Sequence, residues 1–430
     1  MTPDVTGGSA QTSPEVGPGL YHYTNMDGDV PTRFHLRVDP DGGGLLLANS
    51  AEAAHLSRVG VLMVNGALAG MDDAALTAQV REQFSGGSQA EIADDLARVR
   101  SLIAGLASPD DNYPVTNFGD ADDAAHTRRL GAPFRADVLQ GSPEQVVPIL
   151  HKLWDAGIPH VTFLVRPGSD MARMARLVEA AEDIGMITGL RTVASWFTEE
   201  ELRQVAFAGL DYLTVVMASR DAAEHDQMVG APDSDVALRA FELCHEWELC
   251  PVAQVPLTDE SADEIEDIVQ YVADRGVRNL WFFALACLDD EQRADAGGAI
   301  PARGIAQIVT TVVEAAEDHD MRFIWQPPVK FNADLSLPQH IIAGPRASGD
   351  IAVRVEPDGA VYPPRGKRVA AGNLLTDDWP TIWSSACFAR FRERVEAPKR
   401  CEVCQDLPIS GPCPKDPAGW SDDTQDGEQQ

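Results

Sequence analysis

From Ser142 to Gln326 a helix-patterned segment followed by an apolar strand recurs about six times. The strand-like pieces are Val161–Val165, Ile187–Arg191, Tyr212–Val216, Val252–Val255, Leu280–Phe283 and Phe323–Trp325. They read as continuous apolar runs, as expected of parallel strands covered on both faces. Gly157, Gly185, Gly209 and Gly276 stand before several of them, where a helix end calls for a left-handed residue. Helix and strand alternating through short links imply right-handed βαβ crossovers in a barrel or an open α/β sheet. Function in a barrel collects at the C-terminal ends of its strands.

The flanks carry different patterns. Residues 1–19, rich in Gly, Ser, Thr and Pro, show no periodicity and are expected to be disordered. Arg33–Val38 alternates as a strand, Asp39-Pro40-Asp41-Gly42 turns, and Leu45–Ala48 returns. Asn49-Ser50 then reads as a helix cap, with the helix running to about Val64. A second helix starts at Asp72, and a third carries Ile92, Leu96, Val99, Ile103 and Leu106. A strand pair plus three helices predicts a winged-helix-like unit over 20–108. Tyr113–Phe118 is the expected first strand of the repeating region, and Gly119–Gly141 a polar loop after it, before a helix opened by Ser142-Pro143-Glu144. Beyond Pro327-Pro328, Ile351–Val355 and Ala360–Tyr362 flank the turn Glu356-Pro357-Asp358-Gly359, and a short helix is expected from around Thr381 to Val395. Residues 421–430 form an acidic tail, expected to be disordered.

Charge narrows the partners. The net charge is −33, and only five of the 34 cationic residues are lysine. Such a surface repels nucleic-acid backbones and anionic membranes. A high-salt habitat would favour the same acidity. No apolar run is long enough to span a bilayer, and Met1-Thr2-Pro3-Asp4 does not begin as a signal peptide does. The expected location is cytoplasmic.

In order and content these parts resemble radical S-adenosylmethionine proteins with a C-terminal SPASM domain. Ala208-Gly209-Leu210-Asp211-Tyr212, His225-Asp226-Gln227-Met228-Val229-Gly230 and Ser234–Phe241 resemble barrel segments of that family. Pro357-Asp358-Gly359-Ala360-Val361-Tyr362-Pro363, Gly372-Asn373-Leu374 and Ile382-Trp383 resemble its SPASM hairpin, turn and helix. The front unit resembles the PqqD-like peptide-recognition domain that accompanies such proteins. The resemblance implies an α/β fold: a partial (β/α)6 TIM-type barrel over 109–330, a PqqD-like winged-helix domain over 20–108, and a SPASM-like cysteine domain over 331–420.

The departures from the family decide the expected chemistry. Radical enzymes of this family hold a [4Fe–4S] cluster through CxxxCxxC on the loop after the first strand. No CxxxCxxC occurs in this chain, and Gly119–Gly141 contains no cysteine. The family's GGEP segment falls at Leu164-Val165-Arg166-Pro167-Gly168 without its acid, and its TNG segment reads Thr192-Val193-Ala194. These losses predict a pseudo-enzyme that keeps the fold and does not use S-adenosylmethionine. The alternative is a divergent radical enzyme whose iron–sulfur cluster has non-standard ligands. The expected partners are a precursor peptide, an active radical enzyme, or both, with the peptide joining a sheet edge within residues 33–48. No residue is nominated as catalytic.

Cys401-x2-Cys404-x8-Cys413, with Cys387 upstream, fits zinc or one iron–sulfur cluster, against the plainer reading of a vestigial set. Cys387 itself reads equally well as a buried structural thiol. Cys244, Cys250 and Cys287 read as core. Arg166 and Arg191, at or near the ends of neighbouring strands, are candidates for binding a cofactor carboxylate or phosphate. The favoured alternative has them filling the former cofactor cavity, paired to local acids. His225-Asp226 could orient a proton shuttle, although a loop-and-cap role suits it better.

Overall fold

The computed structural model describes residues 16–25, 32–49, 52–107, 131–287, 298–301, 304–325, 329–332, 334–343, 352–363 and 369–388. The chain divides into two compact units, 1–109 and 110–430.

In the first unit, strands β1 (Gly19–Asn25), β2 (Thr32–Val38), β3 (Gly44–Ala48) and β4 (Glu52–Leu56) form an antiparallel sheet in that order. Helices α1 (Arg58–Leu68), α2 (Asp73–Gln83) and α3 (Gln89–Leu106) follow. Phe34 and Leu36, two apart on β2, meet Val61 and Val64 of α1, Leu76 and Val80 of α2, and Ile92 and Leu96 of α3. The strand period of two and the helix period of three to four therefore serve one core. Two expectations change here. The described residues of this unit hold four strands where a strand pair was expected, and β4 stands where a helix was expected after Asn49-Ser50, of which Ser50 lies outside the described residues. Asn49 takes a left-handed conformation (φ 46°), and its Oδ1 accepts the Arg33 N–H at 2.8 Å, turning the chain into β4. The helix starts after Ser57, whose Oγ accepts the Gly60 N–H. Glu52-Ala53-Ala54 has helical propensity, but ladder pairing with β3 prevails over it.

The second unit is built on β5 (Arg135–Leu139), β6 (His160–Leu164), β7 (Ile187–Thr192), β8 (Tyr212–Val216), β9 (Cys250–Leu257) and β10 (Asn279–Cys287). All are parallel and lie side by side in sequence order. The helices between them are α4 (Pro143–Asp155), α5 (Met171–Ile184), α6 (Glu199–Ala206), α7 (Ala222–Val229), α8 (Ser234–Glu246) and α9 (Ile265–Ala273). Strand order never reverses, so the winding is that of a barrel and not of a doubly wound sheet. Beyond β10 come β11 (Ile300–Pro301), α10 (Ile305–Asp318), β12 (Arg322–Trp325), β13 (Val329–Lys330) and α11 (Leu337–Ala343). β11, β12 and β13 all pair with β10. On the other edge, β14 (Ala352–Val355) lies parallel to β5 and continues into β15 (Ala360–Tyr362) and β16 (Gly372–Asn373). Among the described residues nothing joins the two edges, so the sheet is open. Helix α12 (Trp379–Trp383) follows, and the described chain is helical again over 386–388.

The expected first strand, Tyr113–Phe118, lies outside the described residues. β5 instead falls within the stretch expected to be a polar loop. Arg135 and Asp137 place two charges in five residues, which hides a strand buried on both faces. The expected helix from Thr381 is also corrected. It begins at Trp379 behind Asp378, whose carboxylate accepts the Thr381 N–H, breaks at Ser384-Ser385 and resumes at 386–388, and the rest of its expected span to Val395 lies outside the described residues.

Candidate functional site

Alternation along the strands sends one set of side chains toward the helices and the other onto the opposite, inner face. Ala136, Val138, Val161, Phe163, Leu190, Leu213, Val215, Val255 and Phe282 join the helix-side core. The inner face is filled in layers. Ile187, Tyr212, Val252, Trp281 and Ile324 make one apolar layer. Val193, Val216, Ala218, Phe283, Leu285 and Leu337 make another, with Val329 and Phe331 packed on it. Trp281, Phe282 and Phe283 are all fully buried core residues.

Between these layers lies a buried ionic cluster. Asp137, 0% exposed, faces the Arg135 Nε at 3.2 Å and the Arg191 Nη1 at 3.3 Å. Arg354 occupies the β14 position paired with Asp137 and lies 3.7 Å from Glu356. The Arg135 guanidinium sits 4.2 Å from the Trp281 ring centroid, a cation–π contact that stabilises charge away from water. Burial pulls the Arg191 pKa below its ordinary value, and Asp137 opposes that shift. Tyr212 crosses the strand beside it. A Cβ on Gly189 would stand 2.0 Å from the Tyr212 ring, so only glycine lets the ring pass. Its hydroxyl reaches Thr162, and burial pushes its pKa up to about 12. The phenol therefore stays protonated.

The rim above β5 is closed by short contacts. The link from β5 to α4 is Gln140-Gly141-Ser142 alone. A Cβ on Gly141 would lie 2.7 Å from Pro357 of the β14–β15 turn. The Gln140 amide donates to the Asp170 carbonyl at 2.7 Å and accepts the Asp170 N–H, stitching this link to the N-terminus of α5. A cluster held by three thiolates at this strand end does not fit these residues, because the link is short and contains no cysteine. Cys244 lies on α8, Cys250 begins β9 and Cys287 ends β10.

The two arginines singled out by sequence part company. Arg166 is exposed, whereas Arg191 is 2% exposed and faces Asp137. Their backbones are neighbours, with the Val165 N–H donating to the Arg191 carbonyl at 3.0 Å. His225 is also fully buried. Its Nδ1 accepts the Ala218 N–H at 3.1 Å, so its Nε2 carries the proton and donates to Asp233 at 3.0 Å. Asp226 instead accepts the N–H groups of Asp233 and Ser234 and so caps α8. Cys387, half-buried, follows a break at Ser384-Ser385, and Phe388 beside it packs on Trp383. Cys401, Cys404 and Cys413 lie outside the described residues. Among the described residues no group of three potential metal ligands comes together. No described helix is long and apolar enough to cross a membrane. Sequence reading missed Arg135, Asp137 and Arg354. The available signal was the Arg-x-Asp alternation, which puts opposite charges on one face of a strand.

Residues 348–406 match the model of the SPASM family, an iron–sulfur cluster-binding domain. No curated protein matches the chain by sequence. Among solved structures, the fold is similar to Streptococcus suis SuiB bound to S-adenosylmethionine, with 12% identity, a TM-score of 0.53, and coverage of 86% of this chain and 90% of that one. SuiB bound to its precursor peptide SuiA matches over the same shares, with 12% identity and a TM-score of 0.51. Residues 348–406 thus match an iron–sulfur cluster-binding domain model, in a chain whose fold is similar to that of SuiB.

Proposed function

We propose that this chain is a non-cleaving relative of radical S-adenosylmethionine proteins that serves in peptide modification by binding a precursor peptide, an active partner enzyme, or both. One observation carries the reading. Where the family's cluster loop would follow the first strand, this chain has three residues without cysteine, pressed beneath Pro357. The layered inner face supports it, since the chain's own apolar and ionic side chains fill it. The first unit would be the PqqD-like, winged-helix-like recognition domain. Its interior strands β2 and β3 are paired on both sides, so an added peptide strand would join β1 or β4, not the expected edge within 33–48. The C-terminal segment would hold one iron–sulfur cluster or zinc through Cys401, Cys404 and Cys413, with Cys387 as the fourth ligand. A cluster there would supply electron transfer or a structural cross-link.

The match of 348–406 to an iron–sulfur domain also favours a second reading, a divergent radical enzyme with non-standard ligands. Equilibrium dialysis of the anaerobically reconstituted chain against labelled S-adenosylmethionine separates the two. The first reading expects no retention above a buffer control. Stoichiometric retention would refute it.

A further inference from the structure

Helices α6 and α8 run in the same direction, because α6 leads into β8 and α8 into its parallel neighbour β9. Arg239 of α8 bridges them. Its Nη1 donates to Glu246 at 2.8 Å and to Glu242 at 3.1 Å, and its Nη2 donates to Glu199 of α6 at 3.3 Å. At the C-terminal ends of the two helices this seam finishes in an aromatic pair. Phe207 follows α6 and Trp247 follows α8, with ring centroids 6.2 Å apart. Trp247 rests on the core, whereas Phe207 is 71% exposed, the most exposed large apolar side chain among the described residues.

A lone exposed apolar residue needs no account, but this ring is held. Trp247 lies on one side of it, and the Arg203 guanidinium, one turn back on α6, stands 5.5 Å from its centroid. An aromatic side chain already ordered loses little freedom when a partner covers it. Charge sets the sign of that partner. Glu199, Glu242 and Glu246 share one arginine, and Glu248 adjoins Trp247, so four carboxylates face the two guanidinium groups of Arg203 and Arg239. The C-terminal ends of α6 and α8 add the negative poles of their dipoles. Glu248 also takes the left-handed conformation that ends α8 (φ 58°), where glycine would cost less and where Gly209 stands after α6. A second copy of this chain, with a net charge of −33, would be repelled. Arg239 and Trp247 are eight residues apart on α8, about 12 Å, which matches two turns of a partner helix.

We infer that the seam between α6 and α8 ending in Phe207 and Trp247 is a docking surface, and that its occupant is a basic amphipathic helix of a partner protein whose apolar anchor covers Phe207. The inference deepens the partner-binding part of the reading above and rests on it only for the existence of a protein partner. A fluorescein-labelled peptide, LKKLLKKLLKKL, is titrated with the full chain at several salt concentrations and followed by anisotropy. Phe207→Ser leaves the charge unchanged and should weaken binding at least about ten-fold. Leu375→Ser, at an exposed apolar position outside the seam, should leave binding unchanged. Glu242→Gln with Glu246→Gln should weaken binding and flatten its salt dependence. Should Phe207→Ser fail to fold, the glutamine pair decides, since it leaves both rings in place.

Three results would overturn the inference. Equal binding by the wild type and both seam variants would reduce the attraction to net charge and remove this surface, while leaving the partner-binding reading standing. A wild-type dimer in sedimentation that Phe207→Ser abolishes would make a second copy the occupant. A wild-type chain that ignores the peptide even at low salt would refute a basic occupant.

Discussion

Replacing Asp137 by alanine should destabilise the second unit severely. The carboxylate is 0% exposed and lies within 3.3 Å of two guanidinium groups that are themselves 5% and 2% exposed. Its removal leaves Arg135 and Arg191 as like charges in a buried layer. Breaking a buried ion pair by deleting one partner costs about 3–5 kcal/mol. Replacing the whole pair by apolar groups of similar volume is close to neutral. The triple variant Asp137→Leu with Arg135→Met and Arg191→Met, which removes all three charges, should therefore recover most of the loss. Urea denaturation followed by tryptophan fluorescence reads both, because Trp281 lies under Arg135. A loss below about 1 kcal/mol, in the range of exposed pairs, would refute the claim that this layer is dry packing. So would a triple variant no more stable than the single one.

Gly189→Ala should cost about 1–3 kcal/mol through overpacking against the Tyr212 ring, and Tyr212→Leu should relieve part of it in the same denaturation assay. His340 is 1% exposed, its Nε2 accepts the Asn332 N–H at 3.0 Å, and burial lowers its pKa. The unfolded chain thus takes up the proton first, so stability is flat above about pH 6.5 and falls as pH drops through that value. Urea midpoints between neutral and acidic pH should show this slope, and His340→Asn should remove it. Burial pushes the Cys244 thiol up to about 12, so a thiol reagent at mildly alkaline pH should leave it unmodified until the chain is denatured.

The parts of the fold legible in the sequence were those set by local pattern. The six strands from β6 to β10 and β12, their glycine stops and the β14–β15 hairpin all announce themselves within a few residues. At Gly185 the helix does end in the left-handed conformation, with φ 99°. The candidate site was less legible because its contacts are distant in sequence. Asp137 meets Arg191, and Pro357 presses on Gly141, only after the sheet has formed. The same holds for His225, which passes over the adjacent Asp226 for Asp233 across the α7–α8 turn. β4 misled for the opposite reason, since its alanines suit a helix and only the neighbouring ladder makes them a strand.

The central claim is tested most directly by incubating the anaerobically reconstituted chain with S-adenosylmethionine and a strong reductant, and measuring released methionine. The account predicts no release above the no-protein control, whatever metal the C-terminal cysteines bind. Release that requires the chain and its iron would contradict it, and a cluster with other ligands would then have to exist.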